Sequence, residues 1–203
     1  MGLTLKVNEQ VLIPRPDTET WLEKVIQYYR NETGLKVADL GTGSGAILVG
    51  FLYYCRDAVG VGVDISTEAL KIAEENGQNL KITDRVEWRQ GDYLKAFDEE
   101  DIFDGIFSNP PYIPTKDIGG LSREVKHEPR LALDGGTDGL YFYHLLAKGA
   151  AEHLKPGGFL AVEFGIGQAT DILEMFRKSA QYEDFEVIKD YGSIERALYC
   201  RKK

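Results

Sequence analysis

The chain is poor in cysteine and histidine, the residues that most often build disulfides and metal sites. Its 203 residues include two cysteines, Cys55 and Cys200, and three histidines. The cysteines are too few and too far apart for a disulfide framework or a zinc site, and the histidines lack metal-ligand spacing. We therefore predict reduced thiols and no metal centre.

The chain also lacks long apolar runs and an excess of positive charge. Its longest apolar stretch, residues 46–55, is about half of the roughly 20 residues that a membrane helix needs, and residues 1–20 show no targeting pattern. There are 24 lysines and arginines against 33 aspartates and glutamates, which gives a net charge of −9. Because DNA and anionic membranes attract basic proteins, we expect neither partner, and we expect a cytoplasmic location.

What the chain does have is the composition and pattern of an α/β domain. Hydrophobic residues make up 43% of it and charged residues 28%, as in soluble globular proteins. Short β-branched runs alternate with helical patterns, which is typical of a parallel sheet covered by helices on both faces. We predict strands over 36–40, 58–64, 86–89, 103–108, 159–164, 185–188 and 197–200, and helices over about 17–29 (capped by Asp17 or Thr18), 46–54, 67–79 (capped by Ser66), 140–153 and 168–179.

Two regions depart from this alternation. Residues 12–16 are predicted to be extended, because a residue before proline is pushed out of the α region. We assign residues 1–30 to an N-terminal hairpin and helix that pack on a core domain over residues 31–203. Residues 109–139 show no clear period, and irregular loops longer than about 12–15 residues are usually functional.

A glycine-rich turn, Gly41-Thr42-Gly43-Ser44-Gly45, follows the first predicted strand, with Asp39 just before it. Glycines let the backbone approach a ligand closely, and the N-terminus of the next helix presents unpaired N–H groups. The spacing also satisfies the G-x-G-x-x-G/A pattern of dinucleotide sites, so this turn by itself leaves the ligand open.

Acidic residues follow the next two predicted strands at the same edge of the sheet. Asp64 could accept both hydroxyls of a ribose, and Asp92 or the backbone of Tyr93 could meet an adenine amine. Ligands of open α/β sheets bind at this edge, so we predict an adenosine-containing cofactor. Asp39 would repel a diphosphate and attract a cation, which favours S-adenosylmethionine with its amino and sulfonium groups.

The fourth predicted strand leads into the motif Asn109-Pro110-Pro111-Tyr112. Asn-Pro pairs also occur in plain turns, but here two prolines fix the backbone and leave carbonyl acceptors exposed. The Asn109 side-chain oxygen and the Pro110 carbonyl could hold both hydrogens of one planar –NH2 group, and Tyr112 could stack on that group or lie beside the sulfonium. Such positioning favours attack of a weakly nucleophilic amine on an electrophilic methyl group.

Together, the glycine turn and this four-residue motif are shared by class I methyltransferases that act on amino groups. Residues 11–19, 127–139 and 192–197 make the chain resemble the PrmC/HemK family of N5-glutamine methyltransferases. The resemblance implies a Rossmann-like α/β fold with a seven-stranded, mostly parallel sheet and helices on both faces. It implies S-adenosylmethionine as methyl donor, S-adenosylhomocysteine as product, and the glutamine of the Gly-Gly-Gln motif in peptide chain release factors as substrate.

The same resemblance predicts the site residues. It assigns the substrate site to Asn109, Pro110, Pro111 and Tyr112, with Asn109, Pro110 and Tyr112 in the methyl transfer, and the cofactor site to Gly41–Gly45, Asp64, Asp92, Tyr93 and Asn109. Pro14, Arg15 and Glu19 would close over the cofactor, although a simple entry from hairpin to helix would explain these three residues almost as well.

Members of this family carry a further N-terminal helical domain. Met1 directly precedes the predicted hairpin, so the sequence is either a fragment or a member without that domain. Three alternatives stay open: a glutamine of a ribosomal protein as substrate, an adenine or guanine amine of a nucleic acid, or an NAD-type oxidoreductase or nucleotide-binding module. The lack of a basic run disfavours nucleic acid, and Asp39 and residues 109–112 would have no role in an NAD site.

Overall fold

Seven strands of the described residues form one sheet: β1 (Lys36–Leu40), β2 (Val59–Asp64), β3 (Val86–Gln90), β4 (Phe103–Ser108), β5 (Leu154–Glu163), β6 (Tyr182–Lys189) and β7 (Glu195–Lys202). The computed structural model describes residues 1–122 and 125–203. The strand order is β3-β2-β1-β4-β5-β7-β6, and β7 runs antiparallel to both β5 and β6. The predicted mostly parallel, seven-stranded sheet is confirmed.

Helices cover both faces of the sheet: α1 (Pro16–Tyr29), α2 (Ala46–Tyr54), α3 (Thr67–Asn79), α4 (Tyr141–Gly149) and α5 (Ala169–Lys178). Helices α1 and α2 bury Trp21 and Phe51 in one apolar cluster, and α3 packs beside them on β2 and β3. Helices α4 and α5 bury Tyr143 and Phe176 in a second cluster on the opposite face. None of the helices in the described part of the chain is long and apolar enough to cross a bilayer.

The ends of the elements differ from the prediction by a few residues. Strand β5 begins at Leu154 because this residue pairs with Phe103 of β4 before the register shifts. Ser66 caps α3 as predicted, by accepting a hydrogen bond from the Ala69 N–H at 3.2 Å. Helix α1 instead starts at Pro16, without a side-chain cap, because the fixed φ of proline suits a first helical position.

The predicted N-terminal hairpin is wrong, because residues 1–15 form a turn but no strand. The amide of Asn8 makes that turn by accepting the Gln10 N–H at 2.9 Å. The backbone before the turn pairs with a side chain of α3 instead of with a second strand. The Lys6 N–H donates to Asn76 Oδ1 at 2.6 Å, and Asn76 Nδ2 donates to the Lys6 carbonyl at 2.9 Å. The segment therefore lies against α3, beside the carboxyl end of the sheet.

The predicted irregular region after β4 contains short 3-10 turns over Thr115–Gly120, Val125–His127 and Arg130–Ala132. A single bridge between Ile113 and Asp134 brings its two ends together. This long loop and the N-terminal segment flank the same end of the sheet, where a ligand cavity opens. Among the described residues, no group of three His, Cys, Asp or Glu side chains could hold a metal ion.

Candidate active site

A cavity of about 410 Å³ lies at the carboxyl ends of β1, β2 and β4. Its walls include nine residues predicted for the site, namely Gly41, Thr42, Gly43, Ser44, Asp64, Asp92, Tyr93, Asn109 and Pro111. The N-terminal segment and the long loop supply further walls that the sequence did not indicate, among them Val11, Leu12, Pro129, Leu131 and Ala132. The tertiary structure therefore brings the two predicted motifs to one cavity.

The glycine turn owes its shape to left-handed backbone and to one carboxylate. Gly41, Gly43 and Gly45 have φ angles of 73°, 55° and 79°, which residues with a Cβ rarely adopt. Asp64 Oδ2 accepts the Gly43 N–H at 2.8 Å, and Asp64 Oδ1 accepts the Ser66 N–H at 2.9 Å. Burial raises the pKa of Asp64, and these hydrogen bonds oppose the rise. Asp64 thus ties the turn to β2 while its carboxylate still faces the cavity.

Asp39 lies directly beneath this turn and is completely buried. Its Oδ2 accepts the Thr42 hydroxyl at 2.6 Å, while its Oδ1 has no partner in the described part of the chain. Burial raises the pKa of Asp39 to about 7, against the lowering effect of the Thr42 hydroxyl. Asp39 does not line the cavity, so it would act on a cationic ligand group through its charge beneath the turn.

The two predicted residues after β3 occupy different surroundings. Asp92 is partly exposed, and its carboxylate pairs with Lys95 at 2.5 Å. Tyr93 has a left-handed backbone with φ 50°, and its ring stacks on Phe142 at a centroid distance of 4.5 Å. A Cβ on Gly41 would lie 2.9 Å from the Tyr93 hydroxyl, which shows how closely this side chain passes under the glycine turn. Packing of Tyr93 against adenine stays a prediction.

Only part of the motif after β4 lines the cavity. Asn109 and Pro111 line the cavity, whereas Pro110 and Tyr112 are not among its lining residues. The Tyr112 carbonyl accepts Gln168 Nε2 at 3.1 Å, and its ring packs so closely on Gly165 that a Cβ there would lie 2.9 Å away. Burial raises the pKa of Tyr112 to about 12, so its hydroxyl stays neutral at ordinary pH.

Glu163, the last residue of β5, lies behind the cavity next to Asn109, and the sequence reasoning missed it. It is 3% exposed, and its Oε2 accepts the Thr18 hydroxyl at 2.6 Å and Trp21 Nε1 at 2.8 Å. Asn109 Nδ2 donates to the same Thr18 hydroxyl at 3.4 Å. One signal could have found it: a single acid in the apolar strand sequence FLAVEF, next to the strand that carries Asn109.

A salt bridge joins the two segments that flank the cavity. Arg15, just before α1, places its Nη2 2.7 Å and 2.8 Å from the two carboxylate oxygens of Glu128 in the long loop. The Glu128 side chain is 6% exposed, and its neighbour Pro129 lines the cavity, as does Pro14. Glu19 is half exposed and does not line the cavity. Of the three residues expected to close over the cofactor, Pro14 lines the cavity, Arg15 contacts the loop beside it through Glu128, and Glu19 does neither.

These residues fit S-adenosylmethionine. The cavity volume lies in the range of pockets for small ligands, about 300–1,000 Å³. The carboxylate of Asp64 has lone pairs beyond those used by two backbone N–H groups, so it can accept ribose hydroxyls. The carboxylate of Asp39, buried directly beneath the cavity wall, would supply negative charge near an ammonium or sulfonium group. Asp92, which pairs with Lys95, and Tyr93 line the wall expected to meet adenine.

Comparison with known proteins agrees with this geometry. A family model described as "Methyltransferase domain" matches residues 31–163. The chain is 43% identical over 205 residues to the release factor glutamine methyltransferase of Bradyrhizobium diazoefficiens, covering 99% of this chain and 68% of that protein. It is 41% identical to the release factor glutamine methyltransferase of Moorella thermoacetica, covering 100% of this chain and 71% of that protein.

Solved structures share the fold at lower identity. A methyltransferase from Pyrococcus furiosus superimposes with a TM-score of 0.71 and 22% identity, covering 99% of this chain and 89% of that one. An RNA methyltransferase from Salinibacter ruber in complex with S-adenosylhomocysteine gives 0.57 and 18%, covering 95% and 94%. These likenesses establish the class I S-adenosylmethionine-dependent methyltransferase fold. With the sequence identities above, they show that the chain belongs to the release factor glutamine methyltransferase family.

Proposed function

We propose that this chain transfers the methyl group of S-adenosylmethionine to the side-chain amide nitrogen of a glutamine in a peptide chain release factor, the glutamine of the Gly-Gly-Gln motif. The observation that carries the proposal is the place of Asn109. It follows β4 directly, lines the cavity with Gly41–Ser44, and is half-buried, so it stands between the cofactor walls and the molecular surface. The relatives that match nearly the whole chain bear the name of this activity.

A planar amide needs two acceptors on one side to be held by its –NH2 group. Asn109 offers its Oδ1, and Pro110 offers a carbonyl that receives no hydrogen bond within residues 1–122 and 125–203. Both prolines of the motif are buried, which fixes the backbone between the two acceptors. Because the amide lone pair is delocalised, orientation toward the methyl group matters more than basicity.

The methyl donor and the residues of the chain have separate roles in the transfer. S-adenosylmethionine supplies a methyl group bonded to a positively charged sulfur. The chain's own residues bind this donor through the glycine turn and Asp64, exclude bulk water with the loop around Pro129, and orient the substrate amide at Asn109. The amide proton passes to solvent after the nitrogen–carbon bond forms.

The partner and the cellular location are also part of this proposal. The release factor is the expected substrate, and the net charge of −9 disfavours a nucleic acid in its place. Cys55 and Cys200 are both free and buried, as expected for a protein that works in the reducing cytoplasm.

Transfer of a tritiated methyl group from S-adenosylmethionine tests the proposal. We expect label on a purified release factor and loss of that label when the glutamine of its Gly-Gly-Gln motif is replaced by alanine. Ribosomal protein and duplex DNA serve as competing substrates. Label on either of them, with none on the release factor, would contradict the proposal.

A further inference from the structure

A buried carboxylate ends the strand next to Asn109, and the cofactor walls do not use it. Strands β4 and β5 pair in parallel with Ser108 opposite Val162, so the next residues, Asn109 and Glu163, are also neighbours. Glu163 does not line the cavity and is almost completely buried. A charge in this position costs free energy unless hydrogen-bond donors or an opposite charge compensate it, and here Thr18 and Trp21 donate to it.

The hydrogen bonds around Glu163 have a fixed direction. An ionised carboxylate only accepts, and the indole N–H of Trp21 only donates. The Thr18 hydroxyl has one proton, and it donates that proton in a hydrogen bond of 2.6 Å to Glu163 Oε2. The oxygen of Thr18 is then left as an acceptor, and the group that reaches it, at 3.4 Å, is the side-chain amide of Asn109.

An amide that faces an acceptor must present its –NH2 group. Asn109 therefore turns its Nδ2 toward Thr18, and its Oδ1 points the other way. A flipped amide would set an oxygen against the Thr18 oxygen and offer two donors to the substrate, which itself brings two donors. Such an arrangement cannot hold a substrate –NH2 group.

We propose that Glu163 is a positioning residue that, through Thr18, fixes the side-chain amide of Asn109 with its oxygen toward the substrate glutamine. This inference rests on the proposed function. Glu163 does not line the cavity, and its Oε2 is occupied by both Thr18 and Trp21.

The isosteric variant Glu163→Gln is the main test. Its Oε1 can keep the hydrogen bonds from Thr18 and Trp21, while the negative charge that orients the Thr18 hydroxyl, and through it the –NH2 of Asn109, is lost. We expect kcat to fall roughly tenfold or more, as for a lost hydrogen bond to a charged group, with the Kd for S-adenosylmethionine within about threefold of wild type. Glu174→Gln makes the same change on the exposed face of α5 and should leave both constants unchanged.

A second pair of variants covers the case in which Glu163→Gln does not fold. Thr18→Val removes the hydroxyl with little change of shape and should also lower kcat, whereas Thr18→Ser should recover most of the loss. Thr20→Val is the matched control, because the Thr20 hydroxyl donates only to the Pro16 carbonyl on the outer side of α1.

Coupling to Asn109 separates positioning from general structural damage. If Glu163 acts through Asn109, the double variant Asn109→Ala/Glu163→Gln should be about as slow as Asn109→Ala alone. Effects that multiply would overturn the inference. A wild-type chain that does not label the release factor would instead overturn the proposed function and the inference with it.

Protonation of Glu163 provides a readout without turnover. Burial raises the pKa of Glu163, as does nearby Asp17, while the donors that face the carboxylate oppose the rise. Tyr112 and Tyr143 also lie near it, and burial keeps both of them neutral. The indole N–H resonance of Trp21 should shift at the pH where kcat declines on acidification, and both changes should vanish in Glu163→Gln.

The indole resonance of Trp88 serves as an internal reference, since its Nε1 has no partner among the described residues. An acidic decline of kcat that persists in Glu163→Gln, or an indole titration of Trp21 at an unrelated pH, would overturn the inference. So would a Glu163→Gln variant whose kcat stays within about twofold of wild type while the wild type is active.

Discussion

The two halves of the cavity are built in different ways. On the β1–β2 side, ligand-facing groups come from a continuous turn, Gly41–Gly45, held by Asp64 only 21 positions from Gly43. On the β4–β5 side, Asn109 depends on Thr18, 91 positions away, and Thr18 depends on Glu163, 145 positions away. The half proposed to bind the cofactor thus rests on a local backbone turn, whereas the half proposed to hold the substrate rests on a network of side chains from three distant parts of the chain.

This difference predicts where a small change is tolerated. A backbone turn keeps most of its shape when one neighbouring side chain changes, since the N–H groups of Gly41 and Thr42 still pair with the backbone carbonyl of Val63. The side-chain network around Glu163 has one acceptor at its centre, so the loss of one side chain leaves the others without their hydrogen-bond partner. Substitutions on the substrate side should therefore affect turnover, and those on the cofactor side should affect binding.

The largest effect is expected at Asn109. Asn109→Ala should lower kcat about a hundredfold or more, because the acceptor that orients the substrate amide is lost, with a much smaller change in the Kd for S-adenosylmethionine. Steady-state kinetics and calorimetry measure the two quantities. Asn31→Ala, in an exposed turn after α1, is the matched control. Near-normal turnover of Asn109→Ala would remove the distinction between the two halves.

A smaller effect is expected at Asp64. Asp64→Asn should weaken S-adenosylmethionine about tenfold, because one charged acceptor becomes a donor that opposes either Gly43 N–H or a ribose hydroxyl. At saturating cofactor, kcat should change little. Asp57→Asn, at the exposed opposite end of β2, provides the control for calorimetry. A kcat defect of equal size would show that Asp64 also serves the substrate half.

The pH dependence of cofactor binding should be several-fold and should come from Asp39. Because burial raises the pKa of Asp39 to about 7, its carboxyl is largely neutral below that pH in the free protein. Ionised Asp39 attracts the cationic cofactor, so affinity should rise as pH increases through about 7, by at most tenfold per pH unit. Calorimetry in two buffers should detect proton release, and Asp39→Asn should abolish both effects.

The same shift predicts the stability of the free protein. The pKa of Asp39 is 3.8 in an ordinary carboxyl and about 7 in the fold, so between these values the folded chain holds a proton that the unfolded chain has lost. The Asp39 contribution to the free energy of unfolding therefore decreases as pH rises through this window. Thermal melts should show Asp39→Asn gaining stability relative to wild type as pH rises from 3.8 to about 7, with no further gain above that pH. An unchanged difference across the window would contradict the assignment.

The smallest effect is expected at the salt bridge over the cavity mouth. Arg15→Gln should weaken S-adenosylmethionine about two- to fivefold, because a partly exposed ion pair contributes up to about 1 kcal/mol. Arg30→Gln, an exposed arginine at the end of α1, is the control. A loss greater than tenfold would mean that Arg15 contacts the ligand directly instead of holding Glu128.

The sequence by itself determined the order of the elements and the place of the glycine turn at the cavity. The sequence predicted the glycine turn Gly41–Gly45, the place of Asp64 and the strand pattern, because backbone turns and parallel strands depend on residues close together along the chain. The motif Asn109–Tyr112 was also visible, since proline limits the backbone wherever it occurs. Parallel strands end at one edge, which is why the motifs were expected to meet.

Only the tertiary structure decided how residues far apart along the chain pair with one another. The sequence predicted a hairpin for the N-terminal segment, yet the backbone N–H and carbonyl of Lys6 pair with the side chain of Asn76 in α3. The sequence predicted Thr18 as a possible helix cap, yet its hydroxyl donates a hydrogen bond to Glu163. Both outcomes depend on which side chain a distant element brings within hydrogen-bond distance, and local propensity carries no information about that.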